Sequence, residues 1–501
     1  MKQINLLLFI ITVTVCFSKT QSQEAKVDSL QKYSYSSVNE FWQQLDDIFE
    51  DQNFSSANWG VVIQSLSNGE YFYKRNENKL FIPASNLKLI TTACALNVLG
   101  KDYKFKTQIY TRGKIDGTVL KGDLIVKGYG DPSISGRFYN DVILQLFSNW
   151  ADSLLELGID EISGNLIGDD NSFDDVGLGE GWSWDDESEW YSAPASALSI
   201  NDNCVDIYIK PGSIGQRAII EYQPVNKYAT IINKVLTTSK DSTEAITIRR
   251  ERGTNIITVY GCIKENSSTK KYYSTVNNPT QYFMVLLKDI LQKKGIVVNG
   301  FAVDADDLTE ILDYNNAKLI FTNYSPPLST LIRVINKDSN NFFSEQLLKI
   351  LGFEKERIGS AKKGVKVVKK FLDSIGVDTD NLVMVDGSGL SRLNLISPRQ
   401  IVGILSYMQR NDNYDLYYNS LPTAGVDGTL ANRLQKTNAE NNVRAKTGFV
   451  DGVRSLSGYM YTGDKELVAF SMILNNTTVP IKLAENLQDL VCIRLSNFRR
   501  K

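Results

Sequence analysis

The chain has 501 residues, of which 42% are hydrophobic and 22% charged, the proportions of a soluble globular protein. This length exceeds what one compact core usually supports, so two or three domains are expected. A formal net charge of −2 argues against a nucleic-acid-binding protein, which normally carries a basic surplus. The sequence contains no histidine, which excludes Ser-His-Asp and Cys-His catalysis and nearly all histidine-bearing zinc sites.

The N-terminal segment has the pattern of an export signal. An apolar run over residues 4–17 follows a lysine and precedes a polar segment, which fits a secretory signal peptide better than a spanning helix. Small residues at the −3 and −1 positions predict cleavage before Gln23, so residues 1–22 form the signal. Lipidation at Cys16 is the alternative, but the residues before it match a lipobox poorly. We therefore expect an exported protein.

The mature chain keeps four cysteines, none of them in a C-x-x-C pair or a metal-binding pattern. Cys94 lies in an apolar helical run and is expected to be an inert thiol of the core. Cys204 and Cys262 could form a disulfide in an oxidising compartment, although we expect them to remain unpaired.

The first hundred residues predict a helix, two strands and a second helix. Residues 36–51 place their apolar side chains at helical spacing, and residues 60–76 have the pattern of a hairpin around a Ser-Asn-Gly turn. A nearly uncharged run then begins at Pro83, which suits the first helical position, and stops at Gly100.

One charged residue interrupts this apolar run. Lys88 lies one helical turn after Ser85, so a helix places its amine next to the serine hydroxyl. A buried lysine is costly unless it is paired or its pKa falls, and a lysine of lowered pKa beside a serine is a general base beside a nucleophile. The alternative is a lysine that reaches solvent beside an incidental serine, since Ser-x-x-Lys alone occurs by chance roughly a few times in such a chain.

Residues 101–321 change in character, and we interpret them as one or two inserted domains. Short β-rich runs are separated by Gly, Asp and Asn turns, with one helix around residues 282–294. The acidic stretch 185–189 lacks the spacing of a calcium loop and is expected to be a solvated loop among tryptophans. The predicted strands are residues 105–110, 119–126, 205–209, 218–222, 245–249 and 255–260.

Helical patterns return in the last third of the chain. A sheet of about five strands, two from the N-terminal end and about three from the C-terminal end, would close one α/β domain around the insertion. The predicted elements are helices at residues 328–335, 342–351 and 482–497, a helix capped by Ser397-Pro398, a glycine-rich loop at 386–391, and a hairpin of 455–461 with 467–474.

Three short motifs stand in chain order in the contexts that their chemistry needs, a helix start, a loop between helices and a strand. Lys-Thr-Gly alone is expected by chance about 0.1 times in such a chain, and all three in this order are far rarer. The motifs are Ser85-x-x-Lys88, Ser339-x-Asn341 and Lys446-Thr447-Gly448. This set resembles the penicilloyl serine transferases, which are the penicillin-binding proteins and serine β-lactamases.

The large insertion after the serine helix narrows the resemblance to the class C low-molecular-mass penicillin-binding proteins, the D-alanyl-D-alanine carboxypeptidase/endopeptidase family. Other stretches resemble that family too: residues 191–199, 325–328, 336–341, 386–392 and 424–430. The resemblance implies an α/β (α+β) fold, a β-lactamase/transpeptidase-like domain whose antiparallel sheet is flanked by helices. Its two parts would be residues 23–100 and 322–501, interrupted by the β-rich insertion 101–321.

The resemblance implies four catalytic residues. Ser85 would attack the carbonyl of a D-Ala-D-Ala bond, and Lys88, kept neutral by burial and by the positive Lys446, would take its proton. Ser339 would relay a proton to the leaving amine, and Asn341 would hold both Lys88 and the substrate backbone. The structural alternatives are a helix cap at Ser339 and a turn former at Asn341.

The strand motif is expected to bind substrate. Lys446 and Thr447 would hold the terminal carboxylate, and Gly448 would let the strand approach the substrate closely. The backbone N–H groups of Ser85 and Phe449 would form the oxyanion hole, with the bulky Phe449 side chain reshaping the pocket. The loop 386–391 and the segment 424–430 are expected to be structural walls.

The expected function is hydrolysis of peptidoglycan stem peptides, as a D-Ala-D-Ala carboxypeptidase, a DD-endopeptidase or both, with covalent binding of β-lactam antibiotics. We expect no cofactor, no metal, no nucleic-acid partner, a periplasmic location and at most loose membrane association through the basic tail. One alternative is a β-lactamase, which the insertion and the lack of an assignable deacylating glutamate oppose. The other is a binding module. A penicillin sensor usually needs a spanning helix, which the sequence after the signal does not predict, and an inactive wall scaffold should have lost a catalytic residue.

Overall fold

The computed structural model describes residues 38–500, so the predicted signal peptide at residues 1–22 lies outside the described part. The first elements are helix α1 (Val38–Phe49), strands β1 (Asn58–Ser65) and β2 (Tyr71–Arg75) and helix α2 (Lys88–Val98). A short 3₁₀ turn over Ala84–Leu87 precedes α2, so Pro83 caps this turn instead of starting an α-helix. Gly100 follows the end of α2 with a φ of +91°, as a C-terminal stop requires.

The middle of the chain is rich in strands, as predicted, and contains helices α3 (Gln145–Glu156) and α4 (Pro279–Lys293). The strands are β3 (Lys106–Asp116), β4 (Val119–Gly128), β5 (Glu161–Ile162), β6 (Leu166–Asp169), β7 (Cys204–Lys210), β8 (Ile219–Gln223), β9 (Thr230–Thr238), β10 (Ala245–Arg250), β11 (Ile256–Lys264), β12 (Lys270–Thr275), β13 (Val297–Val298), β14 (Ala302–Asp304) and β15 (Ala317–Tyr324).

The last third of the described chain returns to helices and ends with three strands and a helix. These elements are α5 (Leu328–Lys337), α6 (Asn341–Glu356), α7 (Ala361–Ser374), α8 (Pro398–Gln409), α9 (Tyr414–Ser420), β16 (Arg444–Val450), β17 (Val453–Tyr461), β18 (Leu467–Asn475) and α10 (Ile481–Asn497). Ser397 caps α8 in a reciprocal capping box with Gln400, which confirms the predicted helix start.

A five-stranded antiparallel sheet joins the two ends of the chain in the order β16-β17-β18-β1-β2. Helices cover both of its faces, because successive β1 side chains alternate between two cores. Val62 packs in the core that contains α2, α5, α6 and α8, whereas Val61 and Ile63 pack in the core that contains α1 and α10. The predicted α/β fold with a sheet of two N-terminal and three C-terminal strands is confirmed.

The strands between β2 and β16 form separate sheets. One has seven strands, with β13-β5-β4-β3-β15 in line and β6 and β14 beside them, and two have three strands each, β10-β11-β9 and β12-β7-β8. Helices α3 and α4 pack together in this second core, where the rings of Phe147 and Phe283 lie 4.6 Å apart. The segment that joins β6 to β7 lies against α6, where Gln346 donates to the carbonyl of Ser196 at 2.8 Å.

Several elements differ from the prediction. Only one helix was expected in the middle region, but α3 is a second, and its buried side chains recur at helical spacing (Leu146, Phe147, Trp150, Ala151, Leu154). Helix α7 and strands β9, β12 and β15 were not predicted either. Their exposed faces carry many polar residues, which dilutes the apolar pattern of the buried face.

The cysteines of the described residues are all unpaired, as expected for Cys204 and Cys262. Cys94 is fully buried in the core around α2, and burial raises the pKa of its thiol, which confirms an inert core residue. The acidic stretch 185–189 lies in a loop with a single 3₁₀ turn, and Glu187 there pairs with Arg252 at 2.8 Å. Within residues 38–500, no helix is both long and apolar enough to cross a bilayer.

Candidate active site

The Ser85 turn has a backbone conformation unusual for its residue types. Ala84 has a φ of +48°, in the left-handed region that L-residues rarely adopt. The surroundings hold it there, because Ser455 donates to the carbonyl of Pro83 at 2.7 Å and Asn86 donates to the carbonyl of Lys446 at 2.8 Å. Strain held in this way is typical of functional sites, and here it presents the Ser85 side chain at the start of α2.

The strand that carries Lys-Thr-Gly passes directly beside this turn. A side chain at Gly448 would place its Cβ 2.9 Å from the carbonyl oxygen of Pro83 and 3.1 Å from the backbone nitrogen of Ser85, besides meeting Ser455. Gly448 therefore allows β16 to approach the serine turn itself. This reason for the glycine differs from the close approach to substrate that the sequence suggested.

Lys88 is fully buried and its amine contacts three oxygens, none of them charged. The Nζ atom donates to the Ser85 Oγ at 2.9 Å, to the Asn341 Oδ1 at 2.6 Å and to the carbonyl of Ser388 at 2.7 Å. Burial lowers the pKa of Lys88 to about 7, although the charges of Asp386 and Glu345 oppose the shift. An amine of this pKa exists in both protonation states near neutrality.

Lys446 is also fully buried and contacts the loop between α5 and α6. Its Nζ donates to the Ser339 Oγ at 2.8 Å and to the carbonyl of Thr447 at 3.0 Å. Burial, and then the charge of Lys88, lower the pKa of Lys446 well below its usual value. This direction opposes the fixed cation expected from the sequence, and it leaves Lys446 ready to gain charge when an anion arrives.

Three consecutive residues between α5 and the first turn of α6 make different contacts. Ser339 has a φ of +58°, and Asn340 caps α6 by accepting from the backbone N–H of Phe343 at 2.9 Å. The cap is thus Asn340 and not Ser339, which removes the structural alternative for the serine. Asn341 becomes the first residue of α6, accepts from Lys88, and donates to the carbonyl of Tyr191 at 2.8 Å.

The loop 386–391, interpreted from the sequence as a wall, contacts the lysine directly through the carbonyl of Ser388. Asp386 shapes this loop, because its buried carboxylate accepts from the backbone N–H groups of Gly389 at 2.9 Å and Ser391 at 2.7 Å. It also accepts from the indole of Trp182 at 3.0 Å, which ties the loop to the middle region of the chain.

Glu345 is a buried carboxylate on α6 that the sequence analysis missed. It accepts from the backbone N–H of Gly387 at 3.0 Å and from that of Ser388 at 2.8 Å. Burial raises the pKa of Glu345 to about 7, followed by the nearby charge of Asp386, while these N–H groups act in the opposite direction. The signal was present in the sequence, since Glu345 is a charged residue within an apolar helical run, as Lys88 is.

The remaining predicted residues lie at the open edge of the site. Thr447 donates to the hydroxyl of Thr429 at 2.7 Å, so the segment 424–430 supports the strand motif. The ring of Phe449 is 54% exposed, and the guanidinium of Arg454 lies 3.7 Å from its centroid. Phe449 therefore forms part of the surface at the mouth of the site.

Carboxylates close enough to share a cation occur outside this site. Within the described residues, the group is Asp170, Asp304 and Asp306, near β6 and β14. The residues around Ser85 instead offer two amines, two serine hydroxyls and an amide, a set suited to acid–base and nucleophilic chemistry.

Comparison with known proteins agrees with this arrangement. Residues 41–492 match the model of the D-Ala-D-Ala carboxypeptidase 3 (S13) family. A D-alanyl-D-alanine carboxypeptidase of Actinomadura is 32% identical over 92% of this chain and 85% of its own length. The penicillin-sensitive carboxypeptidase A of Dictyostelium discoideum is 28% identical over 99% of both chains.

The solved structures include penicillin-binding protein 4 of Haemophilus influenzae, which superposes with a TM-score of 0.76 at 27% sequence identity. The match covers 90% of this chain and 97% of that protein. A second structure of the same protein, in complex with a β-lactam, gives a TM-score of 0.72 at 25% identity, covering 89% of this chain and 98% of that chain. With its motifs gathered around two buried lysines, Lys88 and Lys446, and its family model matched over residues 41–492, the protein belongs to the D-Ala-D-Ala carboxypeptidase 3 (S13) family.

Proposed function

We propose that this protein is a serine D-Ala-D-Ala carboxypeptidase that removes the terminal D-alanine from peptidoglycan stem peptides. The observation that carries the proposal is the 2.9 Å contact between the Nζ of Lys88 and the Oγ of Ser85, inside a site where burial lowers the pKa of the lysine to about 7. A general base of that pKa next to a serine matches what acyl transfer at neutral pH requires.

Acylation begins at the Ser85 hydroxyl. Its oxygen attacks the carbonyl carbon of the penultimate D-alanine, and its proton moves to the neutral amine of Lys88. The resulting ammonium keeps Asn341 and the carbonyl of Ser388 as hydrogen-bond acceptors, which stabilise the charge that it gains. The attacked carbonyl oxygen becomes an oxyanion that the backbone N–H groups of Ser85 and Phe449 receive.

The leaving group departs on the side of Ser339 and Lys446. When the C–N bond breaks, the proton that Lys88 took from Ser85 passes through the Ser339 hydroxyl to the amine of the terminal D-alanine, which leaves Lys88 neutral again. Lys446 holds that hydroxyl at 2.8 Å. The terminal carboxylate of the substrate binds Lys446 and Thr447. Because burial lowers the pKa of Lys446 in the free protein, the carboxylate brings the charge that stabilises the ammonium, so binding and protonation occur together.

Water then hydrolyses the ester on Ser85 and releases the shortened peptide. A β-lactam ring offers the same carbonyl chemistry, so β-lactams acylate Ser85 and form a lasting adduct. Cleavage of a cross-link between stem peptides uses the same acylation step, so a DD-endopeptidase activity is compatible with this site. The carboxylate of Glu345 is occupied by backbone N–H groups, which leaves it unsuited to the deacylating role that a β-lactamase needs.

The same proposal places the protein outside the cytoplasm, in the periplasm, because its substrate is the cell wall. The predicted signal at residues 1–22 supports this location. Membrane association through the basic tail is weak, because Arg500 is paired with Glu70 at 2.7 Å and with Glu466 at 3.1 Å. No nucleic acid and no cofactor enter the reaction.

Release of D-alanine from a pentapeptide stem tests the proposal. The mature protein should release it, and Ser85→Ala should abolish both release and the covalent β-lactam adduct measured by mass spectrometry. Ser213→Ala, which changes an exposed serine of the middle region, serves as the matched control and should retain both. Release that survives in Ser85→Ala would refute the mechanism, and a wild type that forms the adduct but releases nothing would point to the endopeptidase.

A further inference from the structure

A cavity of about 720 Å³ lies beside the loop that joins α5 to α6, and the reaction above does not use it. It shares two walls with the active site. Asp338 and Asn340 line the cavity, while Ser339 between them contacts Lys446. Trp190 lines it as well, while the carbonyl of the adjacent Tyr191 holds Asn341.

Four of the six charged side chains that line this cavity form two pairs, and the other two, Asp141 and Asp338, are exposed carboxylates. Lys271 pairs with the buried Asp206 at 2.8 Å, and Arg137 lies 3.5 Å from Asp202. Asp202 also accepts from the Asn340 side chain at 2.8 Å. The lining therefore has two carboxylates in excess, which argues against a free phosphate or a terminal carboxylate as the ligand and offers acceptors to hydroxyl donors.

Two residues of the cavity wall also have polar atoms without partners. The Oγ of Ser135, a residue only 4% exposed, forms no hydrogen bond within residues 38–500, and neither does the buried Oδ1 of Asp202. Buried polar atoms in native proteins are normally satisfied, and both of these residues line the cavity. Both atoms are closed off from solvent and do not face the cavity, so the acceptors open to a ligand are the exposed carboxylates of Asp141 and Asp338.

Aromatic rings supply the other half of the recognition surface. Trp190 is 41% exposed and Tyr273 is 40% exposed, and both line the cavity. Flat apolar faces next to hydroxyl, amide and carboxylate groups match a pyranose ring, which has one apolar face of C–H bonds and a rim of hydroxyl donors. The volume of the cavity is also in the range of small-ligand sites.

We propose that this cavity binds an uncharged saccharide unit, and that in the cell the saccharide is the glycan to which stem peptides are attached. The second part rests on the proposed function, whereas the first stands on the cavity alone. The shared walls place the sugar directly behind Ser339 and Tyr191, so a bound glycan orders the loop that handles the leaving group. The glycan belongs either to the strand that carries the substrate or to a neighbouring strand.

Direct binding tests the saccharide site without reference to hydrolysis. N-acetylglucosamine oligomers titrated into the mature protein should bind by calorimetry, and Tyr273→Ala should weaken that binding about fivefold to tenfold. Tyr324→Ala, which removes a tyrosine that is 60% exposed on β15 and outside the cavity, is the matched control and should bind as the wild type does. Absence of binding by the wild type, or equal loss in both variants, would overturn the site.

Hydrolysis then distinguishes the source of the glycan. If the sugar comes from the substrate strand, Tyr273→Ala should lower kcat/KM for a disaccharide-linked pentapeptide about fivefold and leave the sugar-free pentapeptide unchanged. If it comes from a neighbouring strand, added oligomers should change the wild-type rate on the sugar-free pentapeptide and not that of Tyr273→Ala. Neither effect, in an enzyme that hydrolyses both substrates, would overturn the glycan role. A wild type that hydrolyses neither would refute the proposed function and leave the binding result standing.

Discussion

Two regions of this protein hold lysines in opposite ways. At the active site Lys88 is fully buried, and its three hydrogen-bond acceptors are uncharged oxygens. In the middle region Lys127 reaches in from a more exposed position and meets the buried carboxylate of Asp169 at 3.0 Å. In the first case the protein buries the cation without a contacting anion, and in the second it buries the anion and pairs it.

The pKa shifts follow this difference. Burial lowers the pKa of Lys88 to about 7. For Asp169 burial acts in the opposite direction, but the hydrogen bond from Tyr314, followed by the charge and hydrogen bond of Lys127, holds its pKa below the usual value. A paired carboxylate stays ionised, and its ion pair stabilises the fold. A buried amine among neutral oxygens readily gives up its proton, and this is the property that proton transfer needs.

Replacement of each lysine by methionine should separate chemistry from stability. Lys88→Met should lower the rate of acylation by a β-lactam about 10²-fold to 10⁴-fold, because the general base is lost, while the melting temperature is maintained or raised. Lys127→Met should leave acylation unchanged and cost about 1–3 kcal/mol of unfolding free energy, because Asp169 loses its cation. Stopped-flow acylation and thermal unfolding of both variants provide the measurement. Equal acylation rates in the two variants would contradict the comparison.

The close approach of β16 to the serine turn is the next feature to test. Gly448→Ala places a methyl group against the carbonyl of Pro83 and the backbone nitrogen of Ser85, so the turn or the strand must shift. A displacement of the reacting groups by about 1 Å can cost about 10²-fold in rate, and we expect a loss of that order in acylation. Gly403→Ala, within α8 and near only the side chain of Val377, is the control and should retain full activity. Unchanged acylation in Gly448→Ala would show that Ser85 reacts equally well when β16 lies further from its turn.

The pH dependence of acylation should report the lysine. Because Lys88 must be neutral to take the serine proton, the acylation rate should rise about tenfold per pH unit below 7 and level off above it. The same shift affects stability in a defined direction. Between pH 7 and the higher pKa of an unfolded lysine, the folded state binds fewer protons, so the contribution of Lys88 to stability improves as pH rises through this range. A rate that falls as pH rises from 6 to 8 would rule out a neutral lysine base.

Much of this arrangement could be predicted from the sequence, because the signals are local. The Ser85 motif, the strand of Lys446 and the hairpin after it each follow from short patterns. The strand and the hairpin lie where these patterns placed them, and Ser85 lies in a 3₁₀ turn directly before the predicted helix. Long-range facts could not be obtained in this way. The carbonyl of Tyr191 that holds Asn341 is a backbone group of another region, and the contact of Ser388 with Lys88 depends on how a distant loop folds.

Glu345 combines a local sequence signal with a role that depends on long-range contacts, and its substitution has the smallest expected effect. Its sequence signal was available, but its role depends on its distance from Lys88, whose pKa it raises by its charge. Glu345→Gln removes that charge, so the midpoint of the acylation pH profile should move to lower pH. The shift should be less than about one pH unit, because the pKa of Glu345 is itself raised to about 7 and the carboxylate is already partly neutral at the midpoint.

The plateau rate of Glu345→Gln should also fall, by about threefold to tenfold, because an amide NH₂ replaces the Oε2 that accepts from the backbone N–H of Gly387 at 3.0 Å, so two donors face each other. Glu356→Gln, on the same helix but paired with Lys366 and Lys370, is the matched control and should keep both the midpoint and the plateau. The diagnostic result is the midpoint, since a purely structural role for Glu345 would lower the plateau alone. A midpoint that stays in place or moves to higher pH would mean that the loop carbonyl of Ser388, and not the charge behind it, sets the proton affinity of Lys88.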